Sequence, residues 1–294
     1  MEATELLKTV RRIEIKTRGL SHQIFAGEYH SAFKGRGMTF SEVREYQYGD
    51  DIRTIDWNVT ARFNAPFVKI YEEERELTVM LLIDVSGSRI FGTANKLKKD
   101  LATEIAAVLS FSAGLNNDKV GVIFFSDKVE KFIPPKKGRA HTLRIIRELI
   151  EFKPENNKTN LSEALRFLTN AIKKSCTAFI LSDMLDVNSE NMQMNFEDAL
   201  KIAGNKHDIA AIRIYDRREE TMPNAGIIRF KDAETGKLVV VDTSLKSVRR
   251  TYFDRMEKFN DNLNHTFSKC RIDNISISTD EDYVKPLIQL FKKR

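Results

Sequence analysis

Three short stretches of this 294-residue chain carry oxygen donors in a spacing that suits a hard cation. Asp84-Val-Ser-Gly-Ser88 supplies a carboxylate and two hydroxyls at alternate positions, and alternate residues of an extended or tightly turned segment point the same way. Ser182-Asp183 adds a second carboxylate after another apolar run, and Lys158-Thr-Asn160 offers the Thr159 hydroxyl ahead of a helical pattern. An all-oxygen set suits Mg²⁺, with Mn²⁺ or Ca²⁺ as alternatives, and Mg²⁺ keeps several waters in its shell. Asp84-x-Ser-x-Ser alone is also a turn-forming pattern. With Thr159 and Asp183 in place, convergence on one metal becomes the stronger reading. Arg89 and Lys158 flank these donors; they weaken metal binding somewhat and would steer an acidic ligand to it.

Other chemistry finds less support. A strand-end Asp also opens Mg²⁺-dependent phosphoryl transfer, so a phosphohydrolase with Asp84 as nucleophile is the enzymatic alternative. That reaction needs a second acid at the leaving group, and the polar neighbours in sequence are serines. The five histidines are scattered, and Lys34-Gly-Arg-Gly37 lacks the strand and helix that a phosphate loop needs. A non-enzyme is therefore expected. The net charge of +6 keeps nucleic acid as a third class, supported by charge alone. Its one-sided clusters are Lys8, Arg11, Arg12, Lys16 and Arg18 at the start and Lys292, Lys293 and Arg294 at the finish. Cys176 and Cys270 have neither metal-ligand nor disulfide-framework spacing, which points to a reducing compartment. The start shows no signal-type apolar stretch, and no apolar run is long enough to span a bilayer. The expectation is a cytoplasmic protein without a membrane span.

The donors have to be held by something, and the texture of the chain changes at about Leu77. Residues 1–76 are polar and turn-rich, with short strand-like pieces such as Phe67-Val-Lys-Ile-Tyr71. From Leu77 strands and helices alternate. Leu77–Ile83, Val120–Phe125, Ala178–Leu181, Ile209–Tyr215 and Ile275–Ile277 are apolar runs of strand length, and Val129–Ile133 is a short partner across a turn. Helical periodicity falls at Asn95–Leu115, Ala140–Glu151, Leu161–Lys174, Asn195–Ala203 and Val248–Phe267. This alternation implies an α/β fold, a doubly wound and mostly parallel sheet with helices on both faces. A hairpin is inserted at about 225–243, broken at Glu234-Thr-Gly236. In such sheets ligands bind beyond the carboxyl ends of strands, where Asp84 and Asp183 fall.

At these residues the chain resembles the von Willebrand factor A-like fold and its metal-ion-dependent adhesion site. The signature is Asp-x-Ser-x-Ser after the first strand, a later Thr and an Asp after the fourth strand, matched here by Asp84, Ser86, Ser88, Thr159 and Asp183. The resemblance implies hydroxyls on the metal, aspartates acting often through water, and one position left for a carboxylate of a partner protein. Arg44-Glu-Tyr46, Gly49-Asp-Asp51, Arg53, Asp56-Trp57, Ala61-Arg62 and the run His207–Asp216 resemble more narrowly a bacterial family of unknown function encoded beside MoxR-type AAA+ ATPases. It implies a metal-dependent interaction module, an adaptor or co-chaperone whose partner is such an ATPase or an acidic client. Arg89 and Lys158 depart from the common pattern, in which an apolar residue and a Gly are frequent. Trp57 is expected to be buried against residues beyond 76, with the 1–76 region packed on the next domain.

Overall fold

The computed structural model describes residues 39–63, 65–72, 77–92, 96–188, 191–231 and 236–293. The basic cluster Lys8–Arg18, Lys34–Gly37, Glu234–Thr235 and Arg294 lie outside them. Residues 39–77 belong to one compact unit and 78–293 to another.

In the first unit, β1 (Thr39–Glu45) pairs antiparallel with β2 (Phe67–Glu72), and a short helix α1 (Trp57–Phe63) lies between them in sequence. Asp56 caps α1 by accepting from the amides of Asn58 and Val59 at 3.0 and 3.3 Å, and it pairs with Lys69 at 3.3 Å. Arg44 grips Asp50 with two bonds of 2.9 and 2.7 Å. Both ion pairs join residues of this same unit. Trp57 corrects an expectation: it is 68% exposed, and α1 buries no residue. Its place at the first helical position explains this, since helical side chains lean back toward the amino terminus and away from the strand that follows.

The second unit is built on β3 (Thr78–Asp84), six of whose seven residues are buried. Met80 and Leu82 face one side of the sheet and Val79, Leu81 and Ile83 the other, so the strand needs helices on both sides. After it come α2 (Lys98–Leu115), β4 (Lys119–Phe125), β5 (Val129–Lys136), α3 (Arg139–Glu151), α4 (Leu161–Ala171) and β6 (Thr177–Ser182). Then follow α5 (Glu197–Lys206), β7 (Asp208–Tyr215), the single turn α6 (Arg217–Glu220), β8 (Ile227–Lys231), β9 (Leu238–Asp242), α7 (Lys246–Cys270), β10 (Asp273–Ser278) and α8 (Val284–Lys292). The main sheet runs β10-β7-β6-β3-β4-β5, parallel except for the antiparallel edge strand β5. One face buries Met80, Leu82 and Ile180 under Leu165 of α4, Leu200 of α5 and Phe259 of α7. On the other face Phe111 of α2 packs with Ile146 and Ile150 of α3, and Phe291 of α8 meets the Phe179 ring at 5.9 Å between centroids. This is the doubly wound architecture expected.

Chain order reverses between β3 and β6, because β3 is followed outward by β4 on one side while β6 leads to β7 on the other. That is the switch point where an open α/β sheet leaves a crevice. The β8–β9 hairpin forms its own two-stranded sheet. Thr243 closes its base, where its amide and hydroxyl both donate to the carbonyl of Gly226, at 2.8 and 2.7 Å.

Candidate metal centre

The crevice at the switch point opens between the carboxyl ends of β3 and β6. It is open to solvent, with Asp84, Ser88, Arg89, Lys98, Ser182 and Asp183 as polar lining and Leu181, Ile214 and Ala102 as apolar wall. Asp84 ends β3 with both carboxylate oxygens hydrogen-bonded: the amide of Ser86 donates to Oδ1 at 2.9 Å and the hydroxyl of Ser182 to Oδ2 at 2.6 Å. Ser86, completely buried, starts a 3₁₀ turn, Gly87–Ile90, that lays its hydroxyl 3.1 Å from that of Ser88. Both serines and the first Asp are thus gathered as their spacing implies.

Asp183 follows β6, and Met184 after it takes a left-handed backbone with φ +62°, a conformation a non-glycine residue adopts at some cost. The turn aims the Asp183 carboxylate back across the crevice. Oδ1 accepts from the amide of Leu185 at 3.1 Å, and Oδ2 accepts from the Lys98 ammonium at 2.9 Å. Lys98, at the start of α2, has a side chain only 4% exposed and also donates to Glu219 Oε1 at 2.6 Å. Glu219 stands in a capping box with Asp216 at the single turn α6, after β7.

Thr159 is half-buried and is not one of the residues lining the crevice. The loop that carries it is pinned beside the crevice at three points. Asn157 accepts from the Gly87 amide at 2.9 Å, the Asn160 amide donates to the Ser126 carbonyl at 2.8 Å, and the Leu161 amide donates to Asp186 Oδ2 at 2.9 Å. Of the two flanking cations, Arg89 lines the crevice and donates to the Phe152 carbonyl at 2.8 Å, whereas Lys158 is exposed on its loop. Sequence reasoning missed Lys98, Glu219, Ser182 and Asp186. Only Glu219 had a local signal, the Asp216-x-x-Glu219 capping pattern directly after a strand.

The two carboxyls differ in charge balance. Burial, reinforced by the charge of Asp183, pushes Asp84 up to about 6 despite its bonds from Ser182 and Ser86. Burial acts in the same sense on Asp183, but the Lys98 ammonium, with hydrogen bonds from Ser88, Lys98 and the Leu185 amide, holds it below the usual carboxylate range. Asp183 therefore has its counter-ion and Asp84 has none comparable. Among the described residues no three His, Cys, Asp or Glu side chains gather as a metal cluster, so any cation here would rely on hydroxyls beside two carboxylates. That donor chemistry fits a hard divalent ion: all oxygen, one buried carboxyl short of positive charge, and two adjoining serine hydroxyls.

A family model described as "Protein of unknown function DUF58" matches residues 42–261. The chain belongs to the DUF58 family. The match spans the Arg44–Arg62 hallmark and all five oxygen donors. Uncharacterized proteins of Mycobacterium bovis and of Mycobacterium tuberculosis H37Rv are each 28% identical to this DUF58 protein over 293 residues, 99% of this chain and 90% of theirs. Among solved structures it is similar to the conserved hypothetical protein BatB from Bacteroides thetaiotaomicron, at 14% identity and TM-score 0.48, covering 74% of this chain and 98% of that one. It is also similar to the SpRpn10 VWA domain, at 13% identity and TM-score 0.39, covering 75% and 96%. No helix among the described residues is long and apolar enough to cross a membrane.

Proposed function

We propose that this DUF58 protein is a divalent-metal-dependent protein-interaction module that does not itself catalyse a reaction. The observation that carries the reading is the pair of buried carboxylates at the switch point, of which Asp183 is ion-paired with buried Lys98 while Arg89 acts on Asp84 without such a contact. Asp84, Ser86, Ser88 and Asp183 would hold a Mg²⁺-class ion, with Thr159 joining from its pinned loop. The bound ion would supply Lewis acidity toward an incoming oxygen ligand. Around the crevice, Asp84, Asp183 and Glu219 stand against Lys98 and Arg89, three negative charges against two positive ones. A divalent ion turns that single negative charge into a single positive one, which an outside carboxylate would neutralise. The resemblance of the Arg44–Arg62 hallmark supports a MoxR-type AAA+ ATPase, or a client of one, as the source of that carboxylate.

The phosphohydrolase alternative fares worse in this geometry. Asp84 has both oxygens engaged as acceptors and is nearly buried, which makes a poor nucleophile. Asp183, held ionised by Lys98, has no proton to give a leaving group.

Titration calorimetry with Mg²⁺ tests the metal reading. The wild type is expected to bind in the millimolar range or tighter and to melt at a higher temperature with the ion present, because the ion binds the native state only. Ser86→Ala/Ser88→Ala should lose both effects while remaining folded. No binding by a folded wild type sinks the proposal. Partner capture that survives both chelator and Asp84→Ala would leave the ion without a role in recognition.

A further inference from the structure

We infer that the acidic residue recognised at the metal is flanked by apolar side chains, and that Ile90, Phe91 and Leu97 form the rim that reads them. This rests on the metal-dependent reading above and names the partner class for that site. The chain leaves the crevice through Ser88 and Arg89 into Ile90 and Phe91, and re-enters it through Leu97 into Lys98. The Lys98 amide donates to the Phe91 carbonyl at 3.0 Å, which holds Phe91 beside Leu97 and Lys98. Consecutive Cα atoms lie about 3.8 Å apart, so each of the three apolar residues starts within about 8 Å of a residue lining the crevice.

Their exposure is out of keeping with their size: Ile90 is 65% exposed, Phe91 42% and Leu97 37%. Scattered apolar residues on a surface need no account, but three within two positions of residues that line a charged crevice form a patch. The crevice lining is itself mixed, with Leu181 and Ile214 beside the carboxylates. A carboxylate alone would leave this apolar surface wet. A carboxylate with bulky apolar neighbours would cover the rim while its oxygen reaches the metal, the arrangement of a central charged contact within an apolar surround that excludes water. The positive balance of the loaded site selects the acid, and the rim selects its neighbours.

Three dodecapeptides on a Gly/Ser background provide the probe: one with a central Asp between Phe and Leu, one with the same Asp between serines, and one with Asn between Phe and Leu. Binding is read by fluorescence anisotropy with Mg²⁺, and Mg²⁺ binding alone by calorimetry. The apolar-flanked Asp peptide should bind at least tenfold tighter than either other peptide. In Ile90→Ser/Phe91→Ser that preference over the serine-flanked peptide should vanish while Mg²⁺ binding stays unchanged. Equal binding of the two Asp peptides by Mg²⁺-loaded wild type, or no binding of either, overturns the rim and leaves the metal site standing. Persistence of the preference in the double variant also overturns it. A wild type that binds no Mg²⁺ fails the metal reading itself, and the rim falls with it.

Discussion

At the scale of single residues, the crevice is governed by how few positive charges face its carboxylates. Lys98 is the decisive one. Replacing it by Met removes the ammonium at nearly constant volume and leaves Asp183 and Glu219 buried without their partner. Breaking a buried pair from one side costs about 3–5 kcal/mol, so Lys98→Met should lower the metal-free melting temperature markedly. The same change makes the crevice more negative, so Mg²⁺ affinity should rise at least tenfold by calorimetry. A fall in affinity would mean that Lys98 positions Asp183 rather than competing with the ion. Asp84, Ser86, Ser88 and Asp183 were legible in the sequence because strand-end donors have a local pattern. Lys98 was not. In Leu97-Lys-Lys-Asp100 it looks like any surface lysine, and its burial depends on Asp183, 85 positions away, and on Glu219, 121 positions away.

A second residue-scale expectation concerns His207, far from the crevice at the amino-terminal end of β7. Its Nδ1 lies 3.2 Å from Cys176 Sγ, its Nε2 has no hydrogen-bond partner among the described residues, and burial lowers its pKa to about 4. An imidazole that protonates near 6.5 when unfolded but near 4 when folded takes up more protons in the unfolded state between those values. Its contribution is therefore intact above about pH 6.5 and is lost as pH falls toward 4. Asp84, raised to about 6, acts in the opposite sense over part of the same range, so the signal must be isolated. The stability difference between wild type and His207→Gln, followed by urea unfolding, should shrink by at most about 3 kcal/mol across that window. A difference independent of pH would show that the imidazole is not held neutral.

Among the elements, the buried parallel strands were the most legible, because a strand covered on both faces is written as an apolar run. β3, β4, β6 and β7 each fall within a residue of the expected spans. Helix ends were less so: α4 stops at Ala171, short of the periodic pattern that continues to Lys174. α8 was missed altogether. It is only nine residues long, and Pro286 reads as a breaker, although a proline in the first turn removes no hydrogen bond that the helix would make. The β8–β9 hairpin was anticipated, yet most of its side chains are exposed. Its base is closed by Thr243 on Gly226 and by Arg249 of α7 on the Thr243 carbonyl. Replacing 227–242 by a short Gly-Ser connection should thus move the melting temperature by no more than about 3 °C, equivalent to about 1 kcal/mol for a chain of this size. A large loss would place the hairpin in the folding core.

At the scale of the whole molecule, the two compact units differ in what they can bury. The unit of residues 78–293 has a full core on both faces of its sheet. The described part of the other unit is a two-stranded ribbon with one short helix that buries no residue, and Val68 is buried in the ribbon. A lone ribbon of that kind is marginal in water. A peptide of residues 39–77 is expected to show no cooperative thermal transition by circular dichroism, and a sharp transition would establish it as self-sufficient. The exposure of Trp57 was not legible in the sequence, because hydrophobicity records what a side chain prefers and not whether a short helix turns it toward a core. The hairpin adds a consequence that appears only when molecules meet one another. Leu238, Val239 and Val240 are exposed on a strand whose only sheet neighbour among the described residues is β8. Such a strand is a template on which an identical strand from another molecule can grow a ladder, the beginning of a fibril. Lys237 and Asp242 bracket it, and with Arg229 and Lys231 across the hairpin they place like charges over like in any in-register stack. The solubility of the concentrated protein then hangs on a few charges in this one hairpin, and high salt, which screens them, is where it should first be lost.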